Sequence, residues 1–499
     1  MPPANETRAE RHLRQFGYSQ EFQRTFAKFA SFAIGFSFIS ITTGIFTTYG
    51  SVLNSSGPIG IWTWPLVIVG QLAVALVFGA LAARMPLAGY SYQWMSRLAN
   101  PHIGWLVGWV AFTFLIVDVV AVDYAVASTV FPALFGYAGD ATNTWLATGV
   151  VVAVQALLIM FSTPWTARIN NVAVVTELIG IGGLTILLLA VGAATGVLHW
   201  DHLTSTGAVP SGGWLGLGTL TSAGPFQLAF LLGAFTIVGF EACGNLAEET
   251  HDAENIVPRA MWMSVVLSGI VGFVFLIAIT AASGDLTTLA KSGTPVADIV
   301  EGVLGSVIGK LFLIFVAFSI FACGLVIFIT ASRLTWAMSR DERFPGWKWL
   351  RESNPRYRTP LLATVVVGIL IEIVLGLFAG QTNTLFSLFS AATLLPAIIY
   401  AATVVLYLVE RHKLPKDHGF HLGVWEPLVV AVAVVWLAFE LSIFRDGSFS
   451  SPWLYAGIMT AIGVAYYAWM LLSGRSLAMP GTLIAPGDEL KEAAAQVEP

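Results

Sequence analysis

Glu241 sits inside a helix-length apolar run, Phe230-Leu-Leu-Gly-Ala-Phe-Thr-Ile-Val-Gly-Phe-Glu-Ala-Cys-Gly244, bracketed by Gly239 and Gly244. A carboxylate at the middle of a bilayer costs roughly 3 kcal/mol or more on insertion scales, so it must face protein or water rather than lipid. Three roles are open to it. It could receive a substrate ammonium together with nearby freed carbonyls, carry a proton once desolvated, or bridge two helices as a neutral acid. A second run, Phe32 to Phe46, carries Ser40, Thr42, Thr43 and Gly44. Gly and β-branched Thr weaken helix, and a break over Ser40 to Gly44 would leave N–H groups of the following half-helix unpaired, an anion site reinforced by the helix dipole. The competing reading has the Thr42 and Thr43 hydroxyls bonding back to the preceding turn. Irregular backbone at membrane depth is tolerated only where protein or a water-filled cavity surrounds it. A pair of such breaks, one in each of two distant segments, therefore favours a central binding site of the kind found in secondary transporters.

Other acids fall in apolar segments. Glu177 closes the stretch Asn170-Asn-Val-Ala-Val-Val-Thr-Glu177, and could bind Na⁺, shuttle a proton or form a buried pair. Asp118 and Asp123 are five residues apart, about 140° around a helix, so the two are not expected to share one cavity. Glu372 and Glu440 lie in late segments and are left outside the site. No histidine falls at mid-segment, so neither a metal site nor an enzyme's usual acid–base set is expected. Cys243 and Cys323 both sit in apolar segments, and no disulfide framework is expected.

Composition sets the class. Of 499 residues, 56% are hydrophobic and 11% charged, against about a quarter charged in soluble domains. The net charge of −5 argues against nucleic acid as a partner. The amino end is polar and basic and its first apolar run is too long for a secretory signal, so no cleavable leader is expected. Windows of roughly 20 apolar residues, the length a bilayer core needs, fit at 27–50, 61–82, 103–131, 145–162, 171–196, 225–248, 260–283, 303–338, 360–379, 384–409, 425–444 and 452–473. The expected fold is therefore an all-α integral membrane protein of twelve transmembrane helices. With the amino end inside, all of the Lys and Arg except Lys291, Lys310 and Arg445 fall on the cytoplasmic side, which places both termini in the cytosol. The tails 1–26 and 474–499 are polar. The loop 197–224 is rich in Gly, Ser and Thr and suits an outer connection, and 284–302 is expected to be partly helical. The basic stretch Arg333 to Arg358 is expected to set topology and meet anionic lipid heads.

Phe32/Gly35/Ile39 and Phe230/Gly233/Ile237 share one spacing in the first and sixth segments. Five segments separate the two starts, so the second copy is inverted. The expected units are repeat 1 over 27–196, repeat 2 over 225–409 and two further helices over 425–473. Three stretches then carry a resemblance: Ala331-Ser-Arg-Leu-Thr-Trp-Ala-Met-Ser-Arg-Asp-Glu-Arg-Phe-Pro345, Gly239-Phe-Glu-Ala-Cys-Gly-Asn-Leu-Ala-Glu-Glu-Thr250 with Pro258-Arg-Ala260, and Arg84-Met-Pro-Leu-Ala-Gly-Tyr-Ser-Tyr-Gln-Trp94. The chain resembles the amino acid–polyamine–organocation superfamily over nearly all its membrane region, and Asp123-Tyr124 leans toward the branch with 4-aminobutyrate, choline and amino-acid permeases.

The resemblance implies an inverted 5+5 helix repeat of the leucine-transporter type, and a substrate carboxylate at Ser40, Thr42, Thr43 and Gly44. It also implies contacts from Gly239, Phe240, Glu241 and Ala242, with Phe235 as an aromatic lid or, alternatively, a packing residue. Thr42-Thr43-Gly44 departs from the Gly-rich break of many relatives. Glu177 aligns, by the Asn pair, with a position where several relatives carry Lys, and the resemblance favours Asp123 over Asp118. Coupling is assigned to Glu177, Glu241 and Asp123. The expected activity is permease transport of an amino acid or related amine across the plasma membrane by alternating access, with proton symport preferred over Na⁺ coupling. Exchange, or a nutrient receptor without flux, is the alternative. No cofactor is expected, and the partners are the small solute, H⁺ or Na⁺, and membrane lipids.

Overall fold

The computed structural model describes residues 13–22, 24–161, 163–354, 356–378, 384–414 and 419–475. Much of both expected tails lies outside the described residues. Sixteen helices carry the argument. The first eight are α1 (Lys28–Ile39), α2 (Ile41–Ser55), α3 (Trp64–Arg84), α4 (Tyr90–Leu98), α5 (Pro101–Ala125), α6 (Ala141–Phe161), α7 (Thr163–Thr195) and α8 (Pro225–Thr236). The second eight are α9 (Ala242–Asn245), α10 (Ala253–Ala281), α11 (Pro295–Leu304), α12 (Ser306–Arg340), α13 (Leu361–Phe378), α14 (Thr384–Glu410), α15 (Glu426–Ile443) and α16 (Ser450–Leu472). Among the described residues the only β pairing is a single parallel bridge, Phe26 to Thr250.

Ten helical stretches are long and apolar enough to cross a membrane, and two shorter apolar helices, Pro225–Thr236 and Leu361–Leu377, accompany them. In lipid every backbone polar group must be satisfied inside the chain, which is why apolar stretches of this length become helices. Proline opens several of them, including α3, α5 and α8, where its missing N–H is one the helix end leaves unused anyway. At α5 the Asn100 side chain also accepts from His102 N at 2.8 Å. α12 has 35 residues, about 50 Å of helix, and so outruns a hydrocarbon core of about 30 Å.

Packing divides the helices. α10 lies against α3 and α1, and α8 against α2, while α5 packs with α12, α13 and α14, and α6 with α13. The span formed by α1 and α2 is 89% buried, whereas the last span, ending in α16, is 17% buried. The broken helix is thus central and the last helix peripheral. The stretch Arg84 to Trp94 after the second segment runs into α4. The region 284–302, expected to be partly helical, contains two helices, Leu286–Leu289 and α11.

Candidate functional site

The first break is one residue wide. α1 ends and α2 begins at Ser40, whose backbone is left-handed (φ 37°, ψ 89°), a conformation disfavoured for a residue with a side chain. Three bonds hold it. Ser40 Oγ donates to Glu177 Oε1 (3.2 Å), pairs with Thr43 Oγ1 (2.6 Å) and accepts from Thr43 N (3.3 Å). Glu177 Oε1 also accepts from Thr42 N at 2.9 Å. A carboxylate of α7 therefore caps the N-terminus of α2, where both the unpaired N–H and the helix dipole favour negative charge. Gly44, expected within the break, lies inside α2. A Cβ there would strike the Thr236 side chain, so Gly44 lets α2 approach α8 closely.

The second break is longer. α8 stops at Thr236, and regular helix resumes only for the four residues of α9. Gly239 has φ +83°, and a Cβ on it would enter the Phe38 ring of α1. Both demands exclude any other residue. Gly239 N donates to Tyr400 Oη (2.9 Å), and Tyr400 Oη donates to Glu241 Oε2 (2.6 Å), so one phenol of α14 bridges the unwound backbone and the acid. Phe240 is buried with its ring 5.9 Å from Phe78 and 5.2 Å from Tyr400. Ala242 N returns to Gly239 O at 3.0 Å. Asn245 then ties the segment outward, accepting from Gly89 N (2.6 Å) and donating to Thr330 O (2.8 Å). The broken helices also meet directly, through Cys243 Sγ donating to Ser31 O.

Asp123 accepts from Gln155 Nε2 of α6 at 2.9 Å and lies against Gly324 of α12. Asp118 is buried in the same helix, α5. Asp123, the preferred of the two, is thus held between α6 and α12. Cys323 Sγ donates to Phe38 O.

Beyond the breaks, the two ends of the bundle differ. On one side a cavity of about 500 Å³ is lined by α2, α8 and α14, with Thr47, Ser51, Leu228 and Phe386 in its walls. Phe235 lines it too, with its ring 4.5 Å from Phe389. On the other side the chain is closed by ion pairs. Arg340 grips Glu248 through both terminal nitrogens (2.9 and 3.1 Å), and Arg333 Nε meets Glu249 Oε1 at 2.5 Å. Asp341 accepts from Tyr18 (2.7 Å), Tyr92 (2.7 Å) and Gln93 (3.0 Å). Burial, and after it the Asp341 charge, pushes the Tyr18 phenol up to about 12, so it remains a donor. Residues before α1 lie under this network: Thr25 N and Phe26 N donate to Glu249 O, and Gln20 Nε2 donates to Glu248 O.

Of the basic stretch Arg333 to Arg358, Arg333 and Arg343 are buried and Arg340 nearly so. Arg333 meets Glu249, Arg340 meets Glu248 and Arg343 donates to Ser96 Oγ, while Lys348, Arg351, Arg356 and Arg358 are exposed. Among the described residues, His199, Asp201 and His202 bring possible metal-ligand atoms within 4.8 Å of one another. They lie on the loop after α7, apart from both breaks, where sequence reading anticipated no metal site. Tyr400, Phe389, Asp118 and the Glu248/Glu249 pair were not singled out for the site beforehand. Tyr400 is one of two tyrosines, with Tyr407, inside the apolar run 384–409, and that was the available signal for the first of these.

The amino acid permease family profile matches residues 26–469. The chain is 27% identical to amino-acid permease BAT1 of Arabidopsis thaliana over 85% of this chain and 86% of that one. It is 25% identical to the GABA-specific permease of Saccharomyces cerevisiae, over 86% of this chain and 76% of the relative. It is also 25% identical to amino-acid permease 2 of Neurospora crassa, over 87% and 81% of the two chains.

Proposed function

This chain belongs to the amino acid permease family, and on that premise we propose that it is a proton-coupled symporter of an amino acid or related amine. It is an integral membrane protein and its relatives are permeases, which speaks for amino acid transport rather than catalysis. In this reading the chain crosses the plasma membrane twelve times with both termini in the cytosol. Repeat 1 (27–196) and repeat 2 (225–409) are inverted copies, and the helices of 425–473 are additional. The substrate sits between the two breaks. Its ammonium is received by Glu241 and the carbonyls of Gly239 to Ala242, under the Phe235 ring. Its carboxylate is received at the start of α2, by Ser40, Thr42 and Thr43 with Gly44 giving close approach.

The observation that carries the coupling is the bond from Thr42 N to Glu177. An ionised Glu177 occupies the N–H that a substrate carboxylate needs, while a protonated Glu177 yields it. Proton and carboxylate then arrive together, which is symport. Glu241 and Asp123 are the further proton-bearing groups of this scheme. Opening toward the cytosol requires the Glu248–Arg340 and Glu249–Arg333 pairs to part, so α1, α2, α3 and α8 to α10 move against α5, α6, α12 and α13.

The test is uptake of labelled amino acids and amines into proteoliposomes with and without an imposed inward proton gradient. The reading requires gradient-driven accumulation that Glu177→Gln uncouples. Accumulation indifferent to both the gradient and the substitution would end the proton scheme and leave exchange as the mode.

A further inference from the structure

On the flank of the bundle, at the end closed by ion pairs, α1, α7 and α10 enclose a groove of about 880 Å³, within the size range of small-molecule sites. Its walls are apolar: Phe29 from α1, Leu178 from α7, and Met263, Leu267 and Ile270 along one face of α10. Phe29, Met263 and Ile270 are 46%, 45% and 59% exposed, so the groove opens sideways toward the bilayer. From Ile256 to Ile270 it follows α10 for about 21 Å, somewhat more than one leaflet of a core about 30 Å thick. Its rim is cationic. Lys28, in the first turn of α1, and Arg259, in the second turn of α10, both line it and are exposed. Neither has a hydrogen-bond or ion-pair partner among the described residues. The one acid on the lining, Asp252, accepts from Asn255 Nδ2 at 2.9 Å and so already has a neutral partner. A slot one leaflet deep, apolar along its length and positive at its mouth, matches one chemistry.

We propose that this groove binds an anionic phospholipid of the adjoining leaflet, its phosphate between Lys28 and Arg259 and one acyl chain laid along α10. A zwitterionic lipid would fill the slot but bring its own cation beside the phosphate and so offer no net negative charge to Lys28 and Arg259, whereas free phosphate would answer the cations and leave the slot empty. The occupant contacts α1 through Lys28, Phe29 and Phe32, and α10 through Arg259, Met263 and Ile270. It therefore ties the half-helix to α10, and its loss frees α1 to move.

The experiment uses the purified full-length protein in detergent, with thermal melting followed on addition of phosphatidylglycerol, phosphatidylcholine or inorganic phosphate. A ligand of the native state raises the melting temperature with its concentration. Phosphatidylglycerol is expected to raise it by several degrees, and the other two to leave it unmoved. In the double variant Lys28→Gln, Arg259→Gln, phosphatidylglycerol should bind about 30-fold more weakly, the loss of two basic contacts to an anionic headgroup. Met263→Trp, which fills the slot and keeps both cations, should abolish the shift. An equal shift from phosphatidylcholine, a full shift from phosphate alone, or an undiminished shift in either variant would overturn the proposal. Where a variant melts too low to titrate, phosphatidylglycerol retained through purification and counted by native mass spectrometry gives the same comparison. Here too, retention equal to wild type overturns it.

Discussion

Glu177 and Glu241 at the breaks, and Glu248 and Glu249 a few residues beyond the second break, are all buried carboxylates, but they are answered differently. The central pair meets neutral donors: a backbone N–H and a serine hydroxyl for Glu177, a tyrosine phenol for Glu241. The outlying pair meets guanidinium groups directly. A carboxylate held by neutral donors can still take a proton or a cationic solute. One already clasped by arginine cannot do so without breaking the clasp. The contrast separates a site that is available from a closure that is satisfied.

The largest expected effect falls on the closure. Arg333→Ala leaves Glu249 buried without its cation, and should destabilise the protein by about 3–5 kcal/mol, seen as a lowered melting temperature in detergent. Pairing it with Glu249→Leu should recover most of the loss. If the single change is silent, the two regions are not different in kind. Next, Glu241→Gln should cut uptake roughly 30-fold or more if Glu241 receives a substrate ammonium, with melting little altered. Unchanged uptake would reassign Glu241 to structure. Tyr400→Phe removes one bond to a carboxylate, worth about 1.5–3 kcal/mol, and should weaken substrate binding in the same direction by less. Glu177→Gln keeps an acceptor for Thr42 N, so stability should move by about 1 kcal/mol or less while accumulation loses its response to the proton gradient. Retained coupling would move the proton elsewhere, with Asp123 the next acid to replace. The smallest effect belongs to Phe389→Ala, which removes a ring pair worth about 0.5–1.5 kcal/mol. It should raise the half-saturating substrate concentration several-fold without touching the closure.

Much of the fold was legible because hydropathy acts along the chain: long apolar segments have no alternative to helix in lipid, and the second break announced itself through Gly239, Glu241 and Gly244. The first break was narrower than its Ser and Thr content suggested, because a neighbouring carboxylate supports a single left-handed residue at Ser40. Asp123 was preferred to Asp118 on the resemblance, because helical angle says which residues share a face, not which face meets another helix. The basic stretch from Arg333 was assigned to lipid for a similar reason. Its acidic partners lie far away in sequence, and only packing brings them into register.

Class, helices and the approximate depth of both interruptions follow from the order of residue types alone, since burying backbone and charge in hydrocarbon is costly wherever in the fold it occurs. What α7 does to α2, how Tyr400 spans the second break, and which arginine answers which glutamate depend on contacts between distant segments. Hydrogen bonds and ion pairs act over a few ångströms, so those partners exist only once the helices have packed.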